Sequence, residues 1–218
     1  MINDFKLGLR LIKYGLNMKG CLAISIIFMI WGILMDFALP ESPVNGMFVG
    51  MGGMMMVQMI CSVSVSTMVQ SSARKKQLQT SVPAVVCGGF LLLGNTLSLI
   101  AKIAGLKVLE WELTEVANGV VFNVVLMIIM VLYMGGAMKA FWQATVCFTI
   151  VYLGFYFSAM SLKFIEGGAP VLLPLEVAVV LSYVMIIVAV ILMYFLFVAM
   201  YKRDFSKQNF ETQLKRAK

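Results

Sequence analysis

The side chains that usually carry chemistry are scarce here, and the first observation concerns one that is missing: the 218-residue chain contains no histidine. Without an imidazole there is no Ser-His or Cys-His nucleophile pair, no H-E-x-x-H zinc helix and no histidine proton relay, which argues against a membrane hydrolase. The phosphate-cradling G-x-x-x-x-G-K-[ST] loop is also missing, and the hydrophilic segments are too short to fold a nucleotide-binding domain. Any use of ATP therefore falls to a partner chain. Cys21, Cys61, Cys87 and Cys147 form no C-x-x-C pair and are expected to be free thiols. No catalytic residue, cofactor site or metal site is assigned from the sequence.

Two carboxylates border the apolar runs described below: Asp36 near the outer end of the first and Glu176 at the outer start of the sixth. An ionisable group at mid-bilayer is costly and marks an ion or substrate path, and neither carboxylate lies at that depth. This argues against a proton- or sodium-coupled carrier. For Asp36 two readings stand, contact with an outer vestibule and simple solvation at the interface. Met51, Met55 and Met59 recur every four residues on one face, a thioether pattern that suits Cu(I). Against this, 19 methionines are spread along the chain, and flexible methionine commonly fills apolar space.

The elements that would position these groups follow from composition. A chain that is 61% hydrophobic and 12% charged, with mean hydropathy +0.96, has more apolar surface than one water-soluble core can hide. A bilayer core about 30 Å thick needs about 20 apolar residues per helix, and such runs recur with short polar breaks. The expected fold is an all-α integral membrane protein, one transmembrane domain over residues 1–218 with six spans at 21–39, 46–69, 83–101, 120–138, 141–162 and 175–200. The runs are continuously apolar, without the alternation of a barrel strand.

Basic residues set the orientation, because short translocated loops are poor in Lys and Arg. Lys6, Arg10, Lys13 and Lys19 precede the first span; Arg74, Lys75 and Lys76 lie between the second and third; Lys139 sits at the fourth-to-fifth turn; Lys202 and Arg203 open the tail at 201–218. The opposite loops hold Glu41, Glu110, Glu112, Glu115, Glu166 and Glu176, with Lys102, Lys107 and Lys163. The expected protein therefore sits in the plasma membrane with both termini cytoplasmic. Its net charge of +7 is a topology signal and a fit to anionic membrane lipids, with no need of a nucleic-acid partner.

Residues 1–19 carry Phe5, Leu9, Ile12 and Leu16 on one stripe beside a basic row, the pattern of a helix lying in the interface. The stretch 70–82 has Ser71 and Ser72 as possible N-caps, a basic run of helix formers and then Pro83, and reads either as a two-turn helix or as a basic stop signal that only sets topology. Residues 102–118, with Trp111 among apolar neighbours, are expected to connect spans three and four along the outer interface. Between spans five and six, Glu166, Gly167, Gly168, Pro170, Pro174 and Glu176 break an apolar stretch and suggest a short re-entrant element. In span two, Gly46 and Gly50 stand at G-x-x-x-G spacing, with Gly53 beyond, a pattern for close helix packing.

Taken together, the segments 1–19, 71–84 and 164–176 resemble, in order and layout, the elbow helix, coupling helix and broken outer helices of the membrane permeases of type-2 ABC transporters, an exporter family. The resemblance implies a permease subunit that pairs with a dimer of a separate ABC ATPase, which binds ATP and Mg, and with a second copy or a similar permease. It further implies that Arg74, Lys75, Lys76, Gln77, Leu78, Gln79 and Thr80 meet the ATPase, and that the substrate is a hydrophobic or amphipathic peptide, drug or lipid-like molecule. A substrate-binding component of an energy-coupling-factor importer, an ATP-independent channel or carrier, and a scaffold of a larger membrane complex are the alternatives.

Overall fold

The structure, a computed structural model, describes residues 2–14, 18–42, 44–64, 67–163 and 172–202. Among these the chain is helical throughout, as α1 (Ile2–Ile12), α2 (Met18–Ala38), α3 (Asn45–Ser64), α4 (Thr67–Gln70), α5 (Lys75–Gln79), α6 (Ser81–Val108), α7 (Leu113–Ala137), α8 (Phe141–Lys163) and α9 (Leu175–Met200). Six of them, α2, α3, α6 with α5 before it, α7, α8 and α9, are long and apolar enough to cross a bilayer, and fit a multi-pass membrane protein.

Helix ends follow local chemistry. Pro83 falls in the first turn of α6, where a missing N–H leaves no helical bond unmade. α7 opens on a capping box in which Glu112 and Glu115 exchange side-chain bonds with each other's backbone N–H. α6 ends at Leu109, whose N–H reaches the Gly105 carbonyl, and the chain turns at Glu110 in the left-handed region (φ 55°).

α7 is the central element, packed by α3, α6, α8 and α9. A core of Val57, Cys61, Leu91, Met127, Val131, Ile186 and Met193 joins α3, α6, α7 and α9. α2 and α8 lie at the periphery, and outward residues such as Ile27, Leu34, Ile150 and Phe157 are exposed. In water such surface would be unfavourable; against lipid it needs no cover, and α8 can rest chiefly on α7 alone.

Two connections differ from the sequence expectation. α6 continues through Lys102 to Val108, where the third span was expected to give way to an outer connection. Its reason is visible in the site: the lysine that looked like a span boundary is neutralised inside the bundle. The stretch 70–82 holds a five-residue α5 in place of two helical turns, because α6 begins almost at once beyond Thr80, whose φ of −124° and ψ of −73° break the helix.

Candidate functional site

Alternating spans give the bundle a basic end, with Lys19, Arg74, Lys76 and Lys202 exposed, and an acidic end formed by the α2–α3 and α6–α7 turns. Among the described residues the acidic end holds a group of polar contacts that joins several elements, and the basic end a mainly apolar cluster.

At the acidic end the centre is Asp36 in the last turn of α2. Its Oδ1 lies 2.7 Å from the Lys102 Nζ of α6, and both side chains are 0% exposed. The same ammonium donates to the Pro40 carbonyl at 2.6 Å. Asn45, at the start of α3, donates from Nδ2 to Asp36 Oδ1 at 3.0 Å and to the Leu39 carbonyl at 2.8 Å. Asn123 of α7 donates to Asp36 Oδ1 at 2.8 Å and to Ser98 Oγ at 3.1 Å, and Ser98 of α6 in turn donates to Asp36 Oδ2. Four spans, α2, α3, α6 and α7, thus meet on one carboxylate. In a low-dielectric interior such a pair holds only if the remaining lone pairs and protons are also matched, as nearly all of them are here.

Small residues allow the approach. A Cβ on Gly119 of α7 would collide with the Pro40 carbonyl and lie 2.9 Å from Lys102 Nζ. One on Gly46 of α3 would collide with the Asn123 backbone. Further polar bridges join the middle of α6 to α9, where Asn95 Nδ2 donates to Ser182 Oγ at 3.0 Å and Thr96 Oγ1 lies 2.9 Å from the Tyr183 hydroxyl, and at the acidic end Trp111 Nε1 donates to the Phe37 carbonyl at 3.3 Å.

At the basic end α1 packs on α6 and α3. Gly8 faces Val82, Val86 and Ile60 so closely that a Cβ would collide with Val86, and the Phe5 ring covers Gly89. α5 is anchored by Leu78, buried in a cluster with Ile12, Met56, Met59, Ile60, Val82 and Val86. Gln77 Nε2 donates to Asp4 Oδ1 at 2.7 Å, which links α5 to α1. Arg74 and Lys76 point to the exterior, Lys75 is half-buried, and Thr80 Oγ1 donates to the Lys76 carbonyl. Gln79 is buried, with neither end of its side-chain amide partnered.

The residues singled out in the sequence therefore fall into separate places. Arg74 through Thr80 form α5 and its two caps, at the basic end. Gly46 abuts Asn123, Gly50 faces Met130 and Met127, and Gly53 lies at ordinary contact with Leu91. Met59 is buried beneath α1 and α5, while Met51 and Met55 are half-buried. Pro174 precedes α9 as its N-cap and Glu176 lies in its first turn; Glu166, Gly167, Gly168 and Pro170 lie outside the described residues, as do Leu16 and Arg203.

Hydropathy and charge counting place Lys102 among the outer loop charges, and the structure corrects this to a buried partner of Asp36. One signal in the sequence points to the pair: Asp36 and Lys102 stand at the same ends of two spans running in the same direction, with opposite charge. Comparison with family models, with curated proteins and with solved structures finds no match to this chain.

Proposed function

We propose that the chain is the membrane-spanning permease subunit of an ATP-driven transporter, of the type-2 ABC exporter kind, working with a separate ATPase dimer and a second permease copy or a similar permease. In this reading it resides in the plasma membrane with both termini cytoplasmic, so that the basic end faces the ATPase. The exported substrate is a hydrophobic or amphipathic peptide, drug or lipid-like molecule.

One observation carries the reading: α5 exposes Arg74 and Lys76 while Leu78 roots it among residues of α1, α3 and α6. A protein that bound this basic helix and moved it would pull on two spans at once, because Leu78 has little free volume to slip in a close-packed cluster. The Gln77–Asp4 bond extends the same load to α1. A second reading, an ATP-independent carrier, draws support from the buried Asp36–Lys102 pair, since ionisable groups inside a bundle often mark a transport path.

One experiment separates them. The tagged protein is isolated in mild detergent from its own cells and its partners are identified by mass spectrometry, alongside a variant carrying Arg74→Ala, Lys75→Ala and Lys76→Ala. The permease reading expects a stoichiometric P-loop ATPase that is lost with the triple substitution, while the spans stay folded, with a stability change of about 0.5 kcal/mol or less for each exposed site. Repeated isolation without an ATPase would favour the carrier.

A further inference from the structure

A buried carboxylate in a low-dielectric interior needs a positive charge or a proton. At Asp36 the chain supplies the charge itself: the Lys102 ammonium sits 2.7 Å from Asp36 Oδ1 and 2.6 Å from the Pro40 carbonyl oxygen. Those two oxygens, one anionic and one a carbonyl at an unwound helix end, are the kind of donors that hold monovalent cations inside membrane proteins. Ser98 Oγ lies against the other carboxylate oxygen, Oδ2. A further oxygen belongs to Asn123, which is 1% exposed: its Nδ2 points to Asp36 and Ser98, and its Oδ1 has no hydrogen-bond partner. Rotating that amide would turn its oxygen toward the carboxylate, which is unfavourable unless a cation lies between them.

The sum of charges favours a monovalent ion. One carboxylate balances one ammonium, and no group of three or more His, Cys, Asp or Glu occurs among the described residues to hold a transition metal or a divalent ion by anionic ligands. We infer that the oxygens around Asp36 form an alkali-cation site whose resident cation is the chain's own Lys102 ammonium, and that a dissolved Na⁺ or K⁺ takes the place of that ammonium when it is removed. The native acidic end is thereby closed without dependence on dissolved alkali ions. This inference does not rest on the permease reading; it concerns the opposite end of the bundle and holds for a carrier or a channel equally.

The test uses the full chain in detergent, with thermal unfolding followed by intrinsic tryptophan fluorescence in NaCl, KCl or choline chloride at equal ionic strength, each at two pH values. The wild type is expected to unfold at one temperature in all three salts. Lys102→Met, which keeps an apolar stem of similar length, is expected to gain several degrees in NaCl or KCl over choline chloride, rising and levelling off with concentration as ligand linkage requires. The double variant Asp36→Asn with Lys102→Met should again be indifferent to the salt. A folded Lys102→Met protein with the same unfolding temperature in all three salts overturns the proposal, and one stabilised only by acid shows that Asp36 takes a proton instead. Lys102→Met protein recovered unfolded in every salt also overturns it, because an occupied site would restore the missing charge.

Discussion

The two ends of the bundle solve the same problem, joining helices distant in the chain, by opposite means. At the acidic end four spans converge on one carboxylate, and the contacts are charged and directional. At the basic end α1 and α5 lie on α3 and α6 through apolar side chains, with a single described side-chain bond, Gln77 to Asp4, between the two short helices. The difference lies in what each end tolerates. An apolar contact that is loosened loses a little burial, whereas a charge that loses its partner is left buried and uncompensated. The acidic end is accordingly the all-or-none part of the molecule, and the basic end the part that can be shifted.

The sharpest way to break this contrast is Asp36→Asn. It leaves the Lys102 ammonium buried without its counter-charge, and the expected loss is about 3–5 kcal/mol in denaturation measurements, with much of it recovered when Lys102→Met is added. A loss as large in the double variant as in the single one would show that shape, and not charge, holds this end together.

A smaller effect is expected at the basic end from Gly8→Leu. The new side chain meets Val86 and Val82, and α1 must lift from α6, at an expected loss of about 1–3 kcal/mol. Protease cleavage within α1 should rise while the spans remain protected. If cleavage stays at the wild-type level, α1 is held by something other than this contact.

The smallest effect belongs to the side-chain bond between α5 and α1. Gln77→Ala removes a part-buried bond to Asp4, and a double-mutant cycle with Asp4→Ala should give a coupling of about 1 kcal/mol. A coupling near zero would leave α1 and α5 joined through the apolar cluster around Leu78, and sharpen the contrast between the two ends.

Much of the fold was legible beforehand because a membrane span is a local property. A run of about 20 apolar residues must become a helix in lipid whatever its neighbours do, so the six long helices could be read from hydropathy. The boundary at Lys102 was not legible by that rule. A charge ends a span only if it must reach water, and whether it must depends on a partner in another helix. Likewise the five-residue length of α5 depends on where Thr80 bends to let α6 begin, and the burial of Leu78 in the cluster with Ile12 of α1 cannot be seen from the basic run that surrounds it.

What the sequence determined by itself is the set of apolar helices and the separation of basic from acidic connections, since both follow from residue types counted over short windows. Tertiary structure alone decided which polar groups meet. Asp36 finds Lys102, Asn45, Ser98 and Asn123, and Gln77 finds Asp4, only after helix register and glycine-lined approaches have brought distant segments to contact distance. The physical reason is that hydropathy acts residue by residue, whereas a hydrogen bond or an ion pair requires two groups at about 3 Å, a condition that no single segment of the chain contains.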